Sequence, residues 1–432
     1  MRSPILILLF CLLPGQVYAT PEVHSWRTDN GARVYFIETH ALPMVDVRMV
    51  FDAAAAREPA GLNGLAMLTN DMLVDGTGEL DSKAVAEGFE SRGAEITTSS
   101  LRDMAIVSLR TLSAGKYLDP VMDLLARIVA EPSFPEDSLE RERARALQAL
   151  DYALQEPDTV AQRKLFSVLY SGHPYANDPI GTREGLNAIS RQDLVDFHHR
   201  YYVASNLVIA LVGDLDMVHA KDLANSLTKR LDSGKRADPL PAVKDVKASE
   251  TRISFPSTQS HIMLAEQGIK RDDPLFFALK VANHPLGGGG FQSRLMDEVR
   301  EKRGLSYGVY SYFSPMQETG LFLASLQTKN EQVDEALKVA RNVIRDYLAR
   351  GPSQEEIDMA KKNITGGFPL TIDSNKKMVG TLAMMGFYDL PSDYLATFID
   401  HINSVTREQA SEAMQSTLSM DDMVTVIVGG GK

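Results

Sequence analysis

The side chains best suited to hold a metal are few in this chain and poorly spaced for it. Of nine histidines, His198 and His199 are neighbours that point to different sides of a helix, while His24, His40, His173, His219, His261, His284 and His401 are scattered. A zinc site needs three or four ligands converging on one point, and neither pattern begins to supply them. Surface or hydrogen-bonded histidines are the reading, and none is assigned to a metal. The single cysteine, Cys11, lies in the N-terminal segment discussed below, so the remainder contains no thiol.

Two further features could serve a binding site. Gly287, Gly288, Gly289 and Gly290 are consecutive. Glycine runs cost backbone entropy and pack nothing, so they answer to a positive φ or a close backbone approach. A flexible loop at a chamber mouth and a tight turn before the next helix both fit. A phosphate cradle does not, because no Gly-Lys-Ser/Thr ending or Rossmann-type strand accompanies the run. Arg300 follows on a helical stretch, Phe291 to Arg303, that also carries Arg294, Asp297, Glu298, Glu301 and Lys302. By spacing alone it is a solvated charge. Tyr307 alone is equally a strand residue beside Tyr310 and Tyr312.

The elements that position these residues occur twice. Leu109-Arg110-Thr111 leads into a helical stretch from Tyr117 to Ala130, and Leu326-Gln327-Thr328 into another from Val333 to Leu348. Pro132-Ser133 precedes Glu136 to Leu147 as Pro352-Ser353 precedes Glu355 to Ile364; Ile189-Ser190-Arg191-Gln192 heads a helix as Val405-Thr406-Arg407-Glu408 does. Apolar strands, Leu207 to Gly213 and Met423 to Gly429, close the two halves. The offsets are 328 − 111 = 217, 405 − 189 = 216 and 429 − 213 = 216. A constant offset through several elements in one order implies a duplicated unit of about 200 residues.

Within each unit, alternating strands such as Arg33 to Ile37 and Val45 to Phe51 mix with long amphipathic helices. That pattern predicts an α+β class, two homologous α/β sandwich domains at residues 20–228 and 251–432. Residues 229–250, rich in Lys, Asp, Ser and Pro, form the expected surface linker that lets the two domains face each other, the whole chain making one half of a clam shell.

Arg2, the apolar run Ile5 to Leu13 and Val17-Tyr18-Ala19 have the layout of a signal peptide over residues 1–19, cleaved after Ala19. The apolar run is about half of the roughly 20 residues a spanning helix needs. Export with no mature thiol points to a Gram-negative periplasm. The formal charge is −12, and removing Arg2 makes it −13, which argues against nucleic acid and anionic membranes as partners.

Residues Gly61 to Thr77 read as a helix, since Leu65, Leu68, Met72 and Leu73 recur at helical spacing before Gly76 stops it. Its pattern, Gly-Leu-Ala, six residues, then Leu-x-x-Gly-Thr, resembles the opening of the inverted-zincin (M16) peptidases, the group of insulin-degrading enzyme and the mitochondrial processing peptidase. In active members this helix reads His-x-x-Glu-His and a later helix adds a glutamate. Two histidines a turn apart share one zinc, and the glutamate activates its water. The matching positions here are Met67, Asn70 and Asp71, and, in the helix resembling the family's Glu-x-Glu-Arg segment, Ala149. None of the four suits zinc catalysis.

The segment Asn283 to Leu295 followed by Glu298 to Tyr307 resembles the same family's C-terminal half, extending the likeness over nearly the whole mature chain. It implies that Arg300 and Tyr307 are the pair that reaches toward substrate beside a zinc held elsewhere, with Gly304 ending the helix and Tyr307 starting a strand. Arg can fork onto a carbonyl or carboxylate, and a tyrosine hydroxyl can support an oxyanion. The resemblance therefore implies no metal or cofactor bound by this chain and no peptidase activity alone. It implies a non-catalytic, substrate-binding subunit of a periplasmic heterodimeric peptidase, with zinc on a paralogous partner and a peptide or unfolded protein as substrate. A metal-free peptide-binding or scaffold protein of the same fold is the second reading.

Overall fold

The computed structural model describes residues 20–431; the expected signal peptide, residues 1–19, lies outside them. The first half contains β1 (His24–Arg27), β2 (Arg33–Glu38), β3 (Met44–Phe51), α1 (Leu65–Asp71), β4 (Gly76–Thr77), β5 (Leu80–Asp81), α2 (Ser82–Glu90), β6 (Glu95–Ser100) and β7 (Ala105–Leu112). It continues with α3 (Gly115–Ala130), α4 (Glu136–Ala153), α5 (Pro157–Leu169), α6 (Arg183–Ala188), α7 (Arg191–Tyr201), β8 (Leu207–Gly213) and α8 (Met217–Thr228). The second half contains β9 (Glu250–Phe255), β10 (Gln259–Gln267), α9 (Phe276–Asn283), β11 (Val309–Ser314) and β12 (Leu321–Lys329). After these come α10 (Val333–Arg350), α11 (Gln354–Gly367), α12 (Asn375–Phe387), α13 (Tyr394–Ser404), α14 (Arg407–Thr417) and β13 (Val424–Gly430).

The duplication is visible in the sheets. The first runs β1-β2-β8-β3-β7-β6 and the second, read in the matching direction, β9-β13-β10-β12-β11. Each sheet has one parallel pair, β2 with β8 and the equivalent β9 with β13, and the remaining pairs are antiparallel; β1 adds an antiparallel edge strand outside β2 that the second sheet lacks. β8 reads Leu-Val-Ile-Ala-Leu-Val-Gly with every residue buried, as a strand covered on both faces must. β6 instead alternates exposed and half-buried residues at the sheet edge. Gly213, the last residue of β8, and Gly429, the penultimate residue of the equivalent β13, have φ +151° and +150°. A Cβ would lie 2.2 Å from the Met44 carbonyl oxygen at the first and 2.4 Å from Ser260 Oγ at the second, so glycine is required twice for one reason.

Each half covers the other's sheet. α5 lays Ala161, Leu165 and Leu169 on Met263, Ala265, Val424 and Val426 of the second sheet. Its counterpart α12, which starts 375 − 157 = 218 residues later, lays Val379, Leu382 and Ala383 in one core with Val208, Ala210 and Val212 of the first. Burying each of the Val, Leu and Met side chains among these is worth about 1.5–3 kcal/mol, so separating the halves exposes an apolar face on both. Residues 229–250 are correspondingly more than a surface spacer. Leu231, Ala237 and Leu240 are buried. His173 Nε2 donates to the Pro241 carbonyl at 2.9 Å, and Gln267 Nε2 to that of Lys244 at 2.7 Å. The polar composition of the segment concealed those apolar anchors.

Candidate functional site

α1 is shorter than the helix expected over Gly61 to Thr77. It spans Leu65–Asp71, tightens into a 3₁₀ turn at Met72–Val74, and gives way to β4 at Gly76–Thr77, which pairs with β5. Gly61 and Gly64, at φ +86° and +106°, hold the chain off the helix before Leu65. No side chain of an N-cap residue satisfies the first N–H groups. The Glu58 carboxylate does so from outside: Oε1 accepts from Gly64 N at 2.9 Å and Ala66 N at 3.1 Å. The other oxygen, Oε2, is enclosed without a partner, and burial pushes the Glu58 carboxyl up to about 8.

At the positions matched to zinc ligands, each side chain now has another environment. Met67 packs half-buried against the first core, and Ala149 lies exposed on α4. Asp71 accepts from Thr98 Oγ1 at 2.8 Å, while burial and the nearby Glu142 raise its carboxyl above the usual range. Asn70 has no solvent exposure. Its Nδ2 donates to the carbonyls of Ser99 on β6 at 3.0 Å and Ile106 on β7 at 3.1 Å, and its Oδ1 accepts from Tyr202 Oη at 3.1 Å. Two donors meeting two carbonyls is a pattern that an amide satisfies and an ionised carboxylate cannot. Where a general base would stand, the amide bolts α1 to two strands.

Among the described residues, no group of three or more His, Cys, Asp and Glu side chains is arranged to hold a metal ion. Two of the buried histidines have other partners. His198, buried against the Val129 carbonyl at 2.8 Å, is pushed down by burial to about 4, and His261 approaches Asp158 at 3.4 Å. No helix among the described residues is long and apolar enough to cross a membrane.

In the second half the glycine run is a turn with defined packing. Residues His284–Gly288 continue α9 as one wide π turn, and Gly290–Gln292 form a 3₁₀ turn. A Cβ on Gly287 would lie 2.6 Å from Ser311 N and 2.3 Å from Ser311 Oγ, so its absence lets the turn close on the edge strand β11. Gly290 supplies a positive φ of +59°. The helix expected over Phe291 to Arg303 is regular only as a π segment, Met296–Glu301, which Gly304 ends at φ +62°. Arg300 stacks over Phe291, 4.7 Å from the ring centroid, and approaches only the adjacent Glu301 at 3.4 Å. Tyr307 does not start the strand. β11 begins at Val309, and Tyr307 stands in the preceding loop, 85% exposed, away from the stacked pair Tyr310 and Tyr312. Neither side chain joins the core: Arg300 is half-exposed on the π segment and Tyr307 projects from an exposed loop.

A cavity of about 500 Å³ opens between α9, the glycine turn and β11. Lys280 and His284, one helical turn apart, line it; nothing in the sequence pattern singled out Lys280, and His284 read only as one of the scattered histidines. Applying the duplication to α1 would have found them, because that helix is the counterpart of α9. Glu58 was missed as well, since a buried carboxylate six residues before the N–H it caps leaves no local signature.

The first part of the chain, residues 33–183, matches the family model described as insulinase (peptidase family M16), and residues 188–364 match the peptidase M16 inactive domain. A crystal structure of a peptidase M16 inactive domain from Pseudomonas fluorescens superposes with a TM-score of 0.91 at 42% identity, covering 94% of this chain and 98% of that one. A Helicobacter pylori protein described as a non-peptidase homologue, YmxG, is 23% identical over all of this chain and 99% of its own length. A Bacillus subtilis protein described as an uncharacterised zinc protease is 21% identical over 95% of this chain and 99% of its own length.

Proposed function

This chain belongs to peptidase family M16, and on that footing we propose that it is the non-catalytic, substrate-binding subunit of a divided zinc peptidase in the periplasm. The zinc and its His-x-x-Glu-His helix belong to a paralogous partner, and this chain contributes Arg300, Tyr307 and half of a closed chamber to a peptide or unfolded-protein substrate. The observation that carries the reading is the contrast between the halves. In the first, Asn70 is committed to three structural hydrogen bonds at the position of the general base. In the second, Arg300 and Tyr307 remain at the surface, where they can meet a substrate from outside. A chain retaining groups useful only beside a polarised carbonyl makes sense next to a chain that polarises it. The names of the relatives, an inactive domain and a non-peptidase homologue, agree with a chain that does not hydrolyse peptides alone.

The test is purification from periplasm under native conditions, with metal analysis and a peptide-cleavage assay on the isolated chain and on whatever co-purifies. Cleavage by the complex only, with one zinc per pair, is the expected result. Stoichiometric zinc and cleavage by the isolated chain would overturn it, whereas a complex that never cleaves would favour the scaffold reading.

A further inference from the structure

The duplication places a second, different constellation where the first half has its vacated zinc positions. Asn283 repeats the bonding of Asn70: its Nδ2 donates to the Ser311 carbonyl of β11 at 2.8 Å, as that of Asn70 does to Ser99 of β6, and the two strands are equivalent sheet edges. The offset is 283 − 70 = 213, and the same offset carries Met67 to Lys280 and Asp71 to His284. The first half thus reads Met-x-x-Asn-Asp on this helix and the second Lys-x-x-Asn-His, with the cation and the imidazole on one face of α9.

These two side chains border the cavity of about 500 Å³, within the size range of small-ligand sites. Neither forms a hydrogen bond or ion pair with another described residue within ordinary distances. Phe276, Leu279 and Ile364 make apolar wall, and no Asp or Glu lines the cavity. The adjoining cleft, which shares Lys280, His284 and Ile364 and extends to Tyr394 and Phe398, has no carboxylate either. In a chain of net charge −12, an apolar hollow with a lysine, an imidazole and no acid selects for a negative group on a greasy body.

We infer that this cavity is a carboxylate-anchoring subsite that takes the C-terminal end of a peptide, its carboxylate on Lys280 and His284 and its last side chain against Phe276 and Ile364. The choice of a peptide end rests on the substrate-binding role proposed above; the carboxylate chemistry rests on the cavity alone. In this arrangement Lys280 supplies the charge, and His284, across one helical turn, supplies a donor from its ring.

The experiment is fluorescence anisotropy on the isolated mature chain, without partner or zinc, using a fluorescein-labelled decapeptide ending in leucine as the free acid and as the C-terminal amide. The free acid is expected to bind about tenfold more tightly, as loss of one charge-assisted contact predicts. Lys280→Met should abolish that difference, with a melting temperature within a few degrees of wild type reporting that the variant is folded, and Lys280→Arg should keep it. Equal binding of acid and amide, a difference that survives Lys280→Met, or no binding of either peptide at millimolar concentration would overturn the proposal. Displacement by octanoate as effective as by the peptide acid would overturn the peptide-end assignment in favour of a free carboxylic acid. Because no cleavage is measured, failure of the divided-peptidase reading leaves these outcomes readable.

Discussion

The Tyr202 hydroxyl meets Asn70 Oδ1 at 3.1 Å at the end of α7, while the Asn70 amide nitrogen is spent on the carbonyls of Ser99 and Ile106. Tyr202 is itself stacked with His198 and tilted against Phe51, so packing on two sides positions its hydroxyl. Replacing the amide by a carboxylate turns two donors into acceptors that face two carbonyls in a solvent-free site. Asn70→Asp should therefore lose about 3 kcal/mol or more of stability at pH 7, a larger effect than an ordinary surface change. Urea denaturation measures it, and a loss below about 1 kcal/mol would refute the structural role of this amide.

Glu58 makes the stability of the chain depend on pH in a definite direction. Its carboxyl ordinarily titrates near 4.5 and is pushed up to about 8 by burial, so between these values the folded state holds a proton that the unfolded state has lost. The stabilising contribution is full below about 4.5 and is lost as pH rises through about 8. Glu58→Gln keeps an acceptor for Gly64 N and Ala66 N and removes the titration. Wild type should lose a few kcal/mol relative to this variant between pH 5 and pH 9, on the order of 3–5. Parallel pH profiles of the two proteins would expose the error if the gap between them stayed flat.

Much of the fold was legible because duplication repeats its signals. Constant offsets and apolar periodicity located β8, β13, α3 and α10 to within a few residues, since those elements are long and strongly patterned. What escaped was what depends on partners distant in the chain. That α5 and α12 cover each other's sheets is a topological fact without a local pattern, and the anchors Leu231, Ala237 and Leu240 are isolated apolar residues in a polar segment. At the candidate site, the absence of ligands at Met67, Asn70, Asp71 and Ala149 could be read by position. The new use of Asn70 could not, because Ser99, Ile106 and Tyr202 lie 29, 36 and 132 residues away. Tyr307 was misplaced onto a strand because its neighbours Tyr310 and Tyr312 do alternate on one.

The halves and their connecting segment are joined at Arg57. Its Nε and Nη2 fork onto the two oxygens of Asp52 at 2.6 Å each, its Nη1 reaches the Asp238 carbonyl of the connecting segment at 2.6 Å, and Gln317 of the second half donates to Asp52 at 3.1 Å. Both charged side chains are 7% exposed. Arg57→Ala strands the Asp52 charge in the junction and should cost about 3–5 kcal/mol. Arg57→Lys should recover only part of that, because an ammonium cannot fork onto two oxygens and reach a third group. Thermal denaturation of the three proteins checks the order, and a lysine variant as stable as wild type would refute the bidentate account.

Arg300 and Tyr307 should behave in the opposite way, affecting turnover without affecting the fold. Arg300 is held only by an adjacent carboxylate and by stacking on exposed Phe291, and Tyr307 is 85% exposed, so Arg300→Ala and Tyr307→Phe should each leave the stability of the isolated chain within about 0.5 kcal/mol of wild type. In the reconstituted complex, loss of a forked donor that meets developing charge should lower kcat/KM by about 10²-fold for Arg300→Ala, and loss of one hydroxyl by about tenfold for Tyr307→Phe. Co-elution with the partner should persist in both, since single exposed groups outside a packed interface contribute little to association. Turnover equal to wild type in both variants would remove them from the chemistry and leave this chain as a scaffold that closes the chamber around another subunit's site.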